Sequence, residues 1–470
     1  MKDDLKEIHQ ASMELLEKIG VKFYHAEVLD LLQSKGIKVV GETAYFKPDQ
    51  VMNWINKAPA NIKIYARNPK YDMEIGGEKV EYTPGNSGFP WIADFEGTRR
   101  KALLEDYTTL VKLVHQTPFF NINGGMMVTP TDLQPTPIYP MMLLIALSHS
   151  DKCMFGGLGS AKEAEMIMNI LQIVFGGKED LITKPRIVTT IRPLSPLQFD
   201  ETMLDTLLIY AKFGQPMIIA PAASAANTGP ITLADRIALS NAESLAGLTV
   251  CQMIRAGTPV IYGSASPASD MRTANYAFGP PESALFTAYC SRLAKSYGLP
   301  CSGGVMLSNA KSVSVQAGYE SMLVMLVGVQ EKINVMLHSA GELESREAMS
   351  FEKYLVDLEI IGMINRFLQG VKTELNDLAL DVIKEVGPGG EFITHPTTME
   401  LCRKELWSPD ISLRGPMINK DPNECLKENI HKKMQKMLES YSPPRFPGET
   451  KLKLRQYLMD IGVDPELINC

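Results

Sequence analysis

Arg186-Ile187-Val188-Thr189-Thr190, Met217-Ile218-Ile219-Ala220 and Val260-Ile261-Tyr262-Gly263 are short β-branched or apolar runs, each giving way to Gly, Ser or Pro and then to a helical stretch. This rhythm reads as buried strands alternating with amphipathic helices. Working outward, the same pattern recurs in Val80-Glu81-Tyr82-Thr83, Asn121-Ile122-Asn123-Gly124 and Lys152-Cys153-Met154-Phe155 upstream. Downstream it recurs in Pro300-Cys301-Ser302-Gly303 and Asn334-Val335-Met336-Leu337-His338. Helical spacing marks the stretches between and after them, such as 103–115, 161–175, 234–255, 282–297, 316–331 and 351–368. Eight strands alternating with helices predict an α/β fold of the (β/α)8 TIM-barrel type, with an open doubly wound sheet as the fallback.

The flanks differ from this rhythm. Over Leu5 to Ala58, Ile8, Met13, Leu16 and Ile19 fall near helical spacing, as do Val28, Leu31 and Leu32, which predicts helices with one short extended piece. The expected organisation is an N-terminal helical cap over 1–75, the barrel over 76–370, and a C-terminal helical extension and tail over 371–470. The Pro-rich segment Ser442-Pro443-Pro444-Arg445-Phe446-Pro447 reads as peripheral.

Composition narrows the function. The chain has 470 residues, 47 Lys+Arg against 54 Asp+Glu, a net charge of -7 and 45% hydrophobic residues. Such a mildly acidic chain without a basic run offers no footprint for nucleic acid. No apolar run approaches the roughly 20 residues of a membrane span, and the charged start Met1 to Glu7 does not resemble a signal peptide. A cytoplasmic protein is expected. The seven cysteines, Cys153, Cys251, Cys290, Cys301, Cys402, Cys425 and Cys470, include no C-x-x-C pair and read as reduced thiols. The 26 methionines read as flexible core filler. Oligomeric state is not legible, although a homo-oligomer is compatible with a barrel.

In a barrel, chemistry sits at the carboxyl ends of the strands. That brings forward Tyr82, Asn86, Asn123, Arg192, Ser224, Tyr262, Gly303 and His338, with Gln316 after the seventh strand. For each polar member the plainer role is a hydrogen bond tying a loop to the rim. Nucleotide-loop, serine-hydrolase and H-E-x-x-H motifs are missing, and Gly387-Pro388-Gly389-Gly390 reads as a loop beyond the barrel. His338, closing a largely apolar strand, is the titratable residue that stands out. Cys301, Glu342 and Glu344 lack a recognised metal spacing, so no metal ligand is assigned. Several aromatics fall near strand ends: Tyr82, Phe89, Trp91, Tyr262, Tyr276, Phe278 and Phe351. Rings of this kind suit a quaternary ammonium, which has charge but no proton to donate.

Four stretches carry a family resemblance: Asp94-Phe95-Glu96-Gly97-Thr98-Arg99-Arg100, Ser195-Pro196-Leu197, Ser314-Val315-Gln316-Ala317-Gly318-Tyr319-Glu320 and Val386-Gly387-Pro388-Gly389-Gly390. In their order and in overall length they resemble the trimethylamine methyltransferase superfamily. The resemblance implies a barrel enzyme that moves a methyl group from an amine to Co(I) of a separate corrinoid protein. No D-x-H-x-x-G signature occurs, so no cofactor is expected in this chain and the cobalamin would arrive on the partner. The founding trimethylamine enzyme carries pyrrolysine near the seventh strand, whereas Gly303 to Asn309 here are standard residues. Relatives lacking pyrrolysine look like demethylases of quaternary amines such as glycine betaine, proline betaine, carnitine and γ-butyrobetaine. Proline betaine is preferred, on no decisive residue.

On this resemblance Tyr82, Phe89, Trp91, Tyr262 and Phe351 would face the ammonium. Arg192 and His338 would orient a betaine carboxylate, and Gln316 and Asn123 would complete the polar wall. No residue is assigned a catalytic acid or base. Two competing readings stay open: a barrel that binds betaines without turnover, and a zinc-dependent methyltransferase acting on a thiol or alcohol.

Overall fold

All eight runs form strands of one parallel barrel in the computed structural model, which describes residues 3–133, 137–157, 159–371, 373, 380–416, 419–465 and 467. The strands are β1 (Glu81–Tyr82), β2 (Ile122–Gly124), β3 (Cys153–Phe155), β4 (Ile187–Ile191), β5 (Met217–Ile219), β6 (Val260–Tyr262), β7 (Ser302–Gly304) and β8 (Val335–Leu337). The helices that follow them in turn are α1 (Leu104–Gln116), α2 (Ile138–His149), α3 (Ala161–Phe175), α4 (Glu201–Lys212), α5 (Leu233–Ile254), α6 (Pro281–Ser296), α7 (Val315–Gln330) and α8 (Phe351–Leu368). Parallel pairing runs β2-β3-β4-β5-β6 and β7-β8-β1. The parallel bridges Tyr82 to Phe120 and Tyr262 to Cys301 join these arcs into a closed ring, so no edge strand is left unpaired.

The barrel lumen is a packed core, not a pore. Ile122, Phe155, Val188, Ile218, Ile261 and Leu337 fill it, and a hairpin of Ile62–Ile64 and Met73–Ile75 packs into the same cluster. That hairpin closes the amino-terminal end. The Tyr65 amide donates to Pro185 O (2.8 Å) and the Asn68 amide to Asp151 O (3.0 Å), both just ahead of strands β4 and β3.

The N-terminal segment contains more sheet than its periodicity predicts. Helices Asp3–Glu14, Ala26–Ser34 and Pro48–Ile55 alternate with strands Val21–Phe23, Lys38–Val40 and Thr43–Tyr45. Three-residue strands are too short to display a period of two. Val21–Phe23 also pairs in parallel with Gln198–Phe199, beyond β4, which stitches the cap to a loop at the carboxyl end of the barrel.

The cap explains why α5 is buried from Arg236 to Met253. A helix covered on one side by barrel strands and on the other by the Asp3–Glu14, Ala26–Ser34 and Pro48–Ile55 helices has no solvent face. Most of its polar residues are satisfied internally, although Arg236 Nε and Thr249 Oγ1 find no hydrogen-bond partner among the described residues. Asn241 Nδ2 donates to Ser12 Oγ (2.8 Å) and Tyr297 OH (3.0 Å), and Gln252 Nε2 donates to Thr258 O (2.8 Å).

Among the described residues four helices follow the barrel: Leu380–Val386, Pro396–Glu405, Pro422–Glu439 and Gly448–Asp460. Pro422–Glu439 packs on α1 and α8, and Gly448–Asp460 on α3. The Pro-rich segment is not merely peripheral: the Arg67 guanidinium stacks on Phe446 at 4.5 Å, and Tyr441 OH donates to His149 O (3.1 Å). Gly387 and Gly389 adopt positive φ in an exposed turn that ends Leu380–Val386. Cys402 is an exposed free thiol, Cys153, Cys251, Cys290, Cys301 and Cys425 are buried free thiols, and Cys470 lies outside the described residues. No helix among the described residues is long and apolar enough to cross a membrane.

Candidate active site at the barrel mouth

Which strand residues face the lumen is set by pairing register, because side chains alternate between lumen and helix layer. Tyr82 is level with Met336, Asn123 with Met154, and Tyr262 with Ile219, and those three partners belong to the outer core beneath the helices. Tyr82, Asn123 and Tyr262 accordingly point outward. Tyr82 OH donates to Asn365 Oδ1 of α8 (2.9 Å). Asn123 Nδ2 donates to Val111 O of α1 (2.9 Å). Tyr262 OH donates to Asn241 Oδ1 of α5 (2.9 Å). The structure does not bring these three to the mouth.

Nor does it gather the remaining rings into one box. Trp91 lies on the strand Trp91–Ala93 of a hairpin with Arg99–Lys101, and Lys101 Nζ sits over its ring at 3.8 Å. Phe351 opens α8 and packs toward that hairpin beside Ile92 and Arg99. Phe89 is 47% exposed in the loop after β1. Gln316, at the start of α7, donates to Glu320 Oε1 (2.9 Å).

Arg192 and His338 do fall within electrostatic reach of each other. His338 is buried at φ +61° directly after β8, and its Nδ1 lies 2.9 Å from Glu342 Oε1. Asn86, another strand-end residue, donates its backbone amide to the same carboxylate oxygen. Arg346 Nη2 donates to Asn86 O (3.0 Å), so the loop after β1 and the loop after β8 interlock. Gly85 permits this approach, since a Cβ there would sit 2.4 Å from Ala340 O. From beneath, Asp357 of α8 accepts the Gly341 amide (2.8 Å) while paired with the buried Lys353.

The electrostatics of this cluster are distinctive. Burial drives His338 down to about 4, so its imidazole is neutral and Nδ1 donates to Glu342. Burial works against ionisation of Glu342, but His338, Arg346 and the Asn86 amide together hold it below the usual carboxylate range. Arg346, with burial second, pulls Arg192 down to about 9. Two guanidiniums thus face one carboxylate. Arg346 Nε and Glu342 Oε2 stand 3.7 Å apart, too far for a hydrogen bond. Both atoms, and Arg192 Nε, are buried without a hydrogen-bond partner among the described residues. Thr190 Oγ1 and Ser302 Oγ are also unpartnered, and their register mates Ile218 and Val335 belong to the lumen core.

Beside this cluster lies a cavity of about 20 Å3 lined by Ser264, Ser266, Phe278, Leu307, His338 and Arg346, among others. Phe278 follows a hairpin of Ala268–Asp270 and Asn275–Ala277 that extends from the loop after β6. Asn309 fastens it: Oδ1 accepts the Phe278 (2.9 Å) and Gly279 (3.0 Å) amides, and Nδ2 donates to Tyr276 O (2.8 Å). Ser224 joins the same hairpin through Ser269 Oγ (3.0 Å), whereas Gly303 faces outward, where a Cβ would meet Thr287 Cγ2 at 2.6 Å. A larger groove of about 920 Å3 runs between Leu15, Ile19, Leu197 and Leu239, but it is largely apolar and lacks a converging set of buried charges.

Sequence reasoning missed Glu342 as the histidine's partner and Arg346 altogether, and named Phe278 without giving it a role. A usable signal was present: His338, Glu342 and Arg346 recur every four residues after an apolar strand. Among the described residues no three His, Cys, Asp or Glu side chains cluster as metal ligands. Cys301 bonds to Ser291 Oγ (3.3 Å), Glu342 holds His338, and Glu344 pairs with Arg99.

Comparison with known proteins agrees with this architecture. The solved monomethylamine methyltransferase of Methanosarcina barkeri superposes with a TM-score of 0.54 at 10% identity, covering 92% of this chain and 93% of that one. A glycine betaine methyltransferase of Desulfitobacterium hafniense is 38% identical over 98% of this chain and 96% of its own length. A proline betaine:corrinoid methyltransferase of Eubacterium limosum is 26% identical, with 97% and 96% covered. A trimethylamine methyltransferase of D. hafniense is 26% identical, with 96% and 92% covered. The trimethylamine methyltransferase (MTTB) family profile matches residues 1–460. Shared along nearly its whole length with such enzymes, the chain belongs to the trimethylamine methyltransferase (MTTB) family and is a methyltransferase.

Proposed function

We propose that this enzyme demethylates a quaternary ammonium that also bears a carboxylate, and delivers the methyl group to Co(I) of a separate corrinoid protein. One observation carries the reading: the mouth sets Arg192 and Arg346 against the single carboxylate of Glu342, beside a neutral His338. A buried excess of one positive charge calls for an anion. The carboxylate of a betaine provides one, and trimethylamine has none. The names of the glycine betaine and proline betaine relatives support the same class.

Within that class we favour glycine betaine over the proline betaine preferred from sequence. Identity to the glycine betaine enzyme is 38%, against 26% to the proline betaine enzyme. The cavity, about 20 Å3, is too small for either betaine as it stands. A volume of this size holds one water, so substrate enters as the hairpin carrying Phe278 swings outward. Arg192 and Arg346 receive the carboxylate, while His338, its Nδ1–H committed to Glu342, keeps the Glu342 carboxylate in place beneath them. Phe278 is the ring that faces the ammonium, with Phe89 at the outer rim.

The chemistry asks for position more than for proton transfer. A quaternary nitrogen already bears the charge that lets it leave as a neutral tertiary amine. The C–N bond breaks with its electron pair staying on nitrogen, and the pair for the new Co–C bond comes from Co(I). No general acid takes part, in keeping with a mouth whose histidine stays neutral. The side chains hold nitrogen and methyl carbon in line with the acceptor and exclude water. The test mixes enzyme with a corrinoid protein reduced to Co(I) and follows absorbance to methyl-Co(III). Methylation with glycine betaine and none with trimethylamine is expected. Detectable betaine binding without any methylation would favour a barrel that only binds.

A further inference from the structure

Glu344, Ser345 and Arg346 have φ of 51°, 58° and 77°, three successive non-glycine residues in the left-handed region. An L side chain is disfavoured there, and such a run persists only where its surroundings hold it. It is this turn that aims Arg346 at the mouth. Its external ties identify what holds it.

Each of the three residues is fixed from outside the loop. The Glu344 amide donates to Ala310 O (3.0 Å) and the Ser345 amide to Ser308 O (2.9 Å). Ser345 Oγ donates to Tyr276 O (2.9 Å) and receives Asn309 Nδ2 (2.6 Å). Ser87 Oγ donates to Arg346 O (2.5 Å). The Glu344 carboxylate, only 8% exposed, forms an ion pair with the Arg99 guanidinium, with Lys311 Nζ more distant at 3.7 Å.

Arg99 belongs to the Asp94-to-Arg100 stretch, and its own platform is rigid. Thr98 N donates to Asp94 Oδ1 (2.8 Å) across the hairpin turn. Gly97, at φ +92°, lies so close to the next loop that a Cβ would sit 2.1 Å from Lys311 O. The strand Arg99–Lys101 joins Trp91–Ala93, Ala348–Met349 and Glu342–Leu343 in one sheet. Arg99 therefore reaches Glu344 from a sheet that also contains Glu342. We infer that Arg99 is a positioning residue: through Glu344 it holds the left-handed turn that presents Arg346 to the substrate carboxylate.

The inference rests on the reading of Arg346 as a carboxylate receptor, and the experiment separates the two. Calorimetry on the full chain measures Kd for glycine betaine and for choline, which shares the ammonium but lacks the carboxylate. The Kd ratio of choline to betaine reports carboxylate recognition alone. Both Arg346→Ala and Arg99→Ala are expected to lower that ratio about tenfold, with choline affinity little changed, and Arg99→Lys to restore part of it. A merely structural role for Arg99 would weaken both ligands together and leave the ratio where it was, which overturns the inference. A lowered ratio in Arg346→Ala with none in Arg99→Ala also overturns it and leaves the carboxylate reading standing. An unchanged ratio in Arg346→Ala removes both. Should Arg99→Ala fail to fold by circular dichroism, Arg99→Gln, which removes the charge and keeps much of the length, is read in the same way.

Discussion

His338 Nδ1 lies 2.9 Å from Glu342 Oε1, one helical turn's spacing along the chain, although no helix joins them. The loop after β8 folds back so that the imidazole donates to a fully buried carboxylate. Nδ1 is thereby committed as donor, and Nε2 keeps its lone pair.

Removing that donor weakens the site. His338→Ala takes one of the hydrogen bonds from a buried carboxylate, a loss of about 1–3 kcal/mol in stability, and glycine betaine affinity is expected to fall roughly tenfold. Denaturant titration and calorimetry measure the two effects. Unchanged affinity and turnover would remove His338 from the site.

Substrate affinity is expected to be flat between about pH 5.5 and 8, because burial holds His338 near 4 in the folded protein. Stability behaves differently. The unfolded histidine titrates near 6.5, so the group's contribution is fully present above that pH and is lost as pH falls toward 4. A betaine Kd that steps near pH 6.5 would show an imidazole that titrates at the mouth.

On the proposed reading Phe278 faces the ammonium and the outer rings do not. Phe278→Ala is expected to raise the glycine betaine Kd roughly 3- to 30-fold, the range of a single cation–π contact. Trp91→Phe, whose ring carries Lys101, and Tyr82→Phe, whose hydroxyl meets Asn365, are expected to leave Kd within about twofold. Titration calorimetry on the three variants decides it, and the reverse ranking would return the ammonium to the outer rings.

Glu243 supplies a test away from the cavity. Buried in α5, it accepts Ser195 Oγ (2.8 Å) and the Leu197 amide (2.7 Å), and burial raises it to about 7. The folded protein therefore keeps its proton where the unfolded chain releases it, above about 4.3. Stability from this group falls as pH rises from there through 7. Glu243→Gln is expected to remove that decline, worth roughly 3 kcal/mol by pH 8. Urea midpoints at pH 5 and 8 measure it, and an equal pH dependence in both proteins would contradict it.

The barrel was legible because its strands are short apolar runs separated by helices with enough length to show periodicity. The hairpins of the cap were not, since Lys38–Val40 and Thr43–Tyr45 become strands only by pairing with each other and with Val21–Phe23. The site was half legible. Arg192 and His338 lie at strand ends, where a barrel builds its chemistry. Tyr82, Asn123 and Tyr262 also lie at strand ends, yet each faces the helices. In strands buried on both sides, lumen and outer positions are alike apolar, so the chain carries no alternation to tell them apart.

By itself the amino-acid sequence determined the eight alternating strands and helices and the family, because apolar periodicity and short motifs are local properties; closure of the ring came with the Tyr82–Phe120 and Tyr262–Cys301 bridges. Only the tertiary structure decided which polar residues share the mouth. Arg346 reaches it through a left-handed turn held by Arg99, Ser87 and Asn309, and Arg192 lies within its electrostatic reach. Asn309 lies 36 positions from Ser345, but the other partners lie more than a hundred positions away, and on the proposed reading the charge balance that favours a carboxylate exists only once they are brought together.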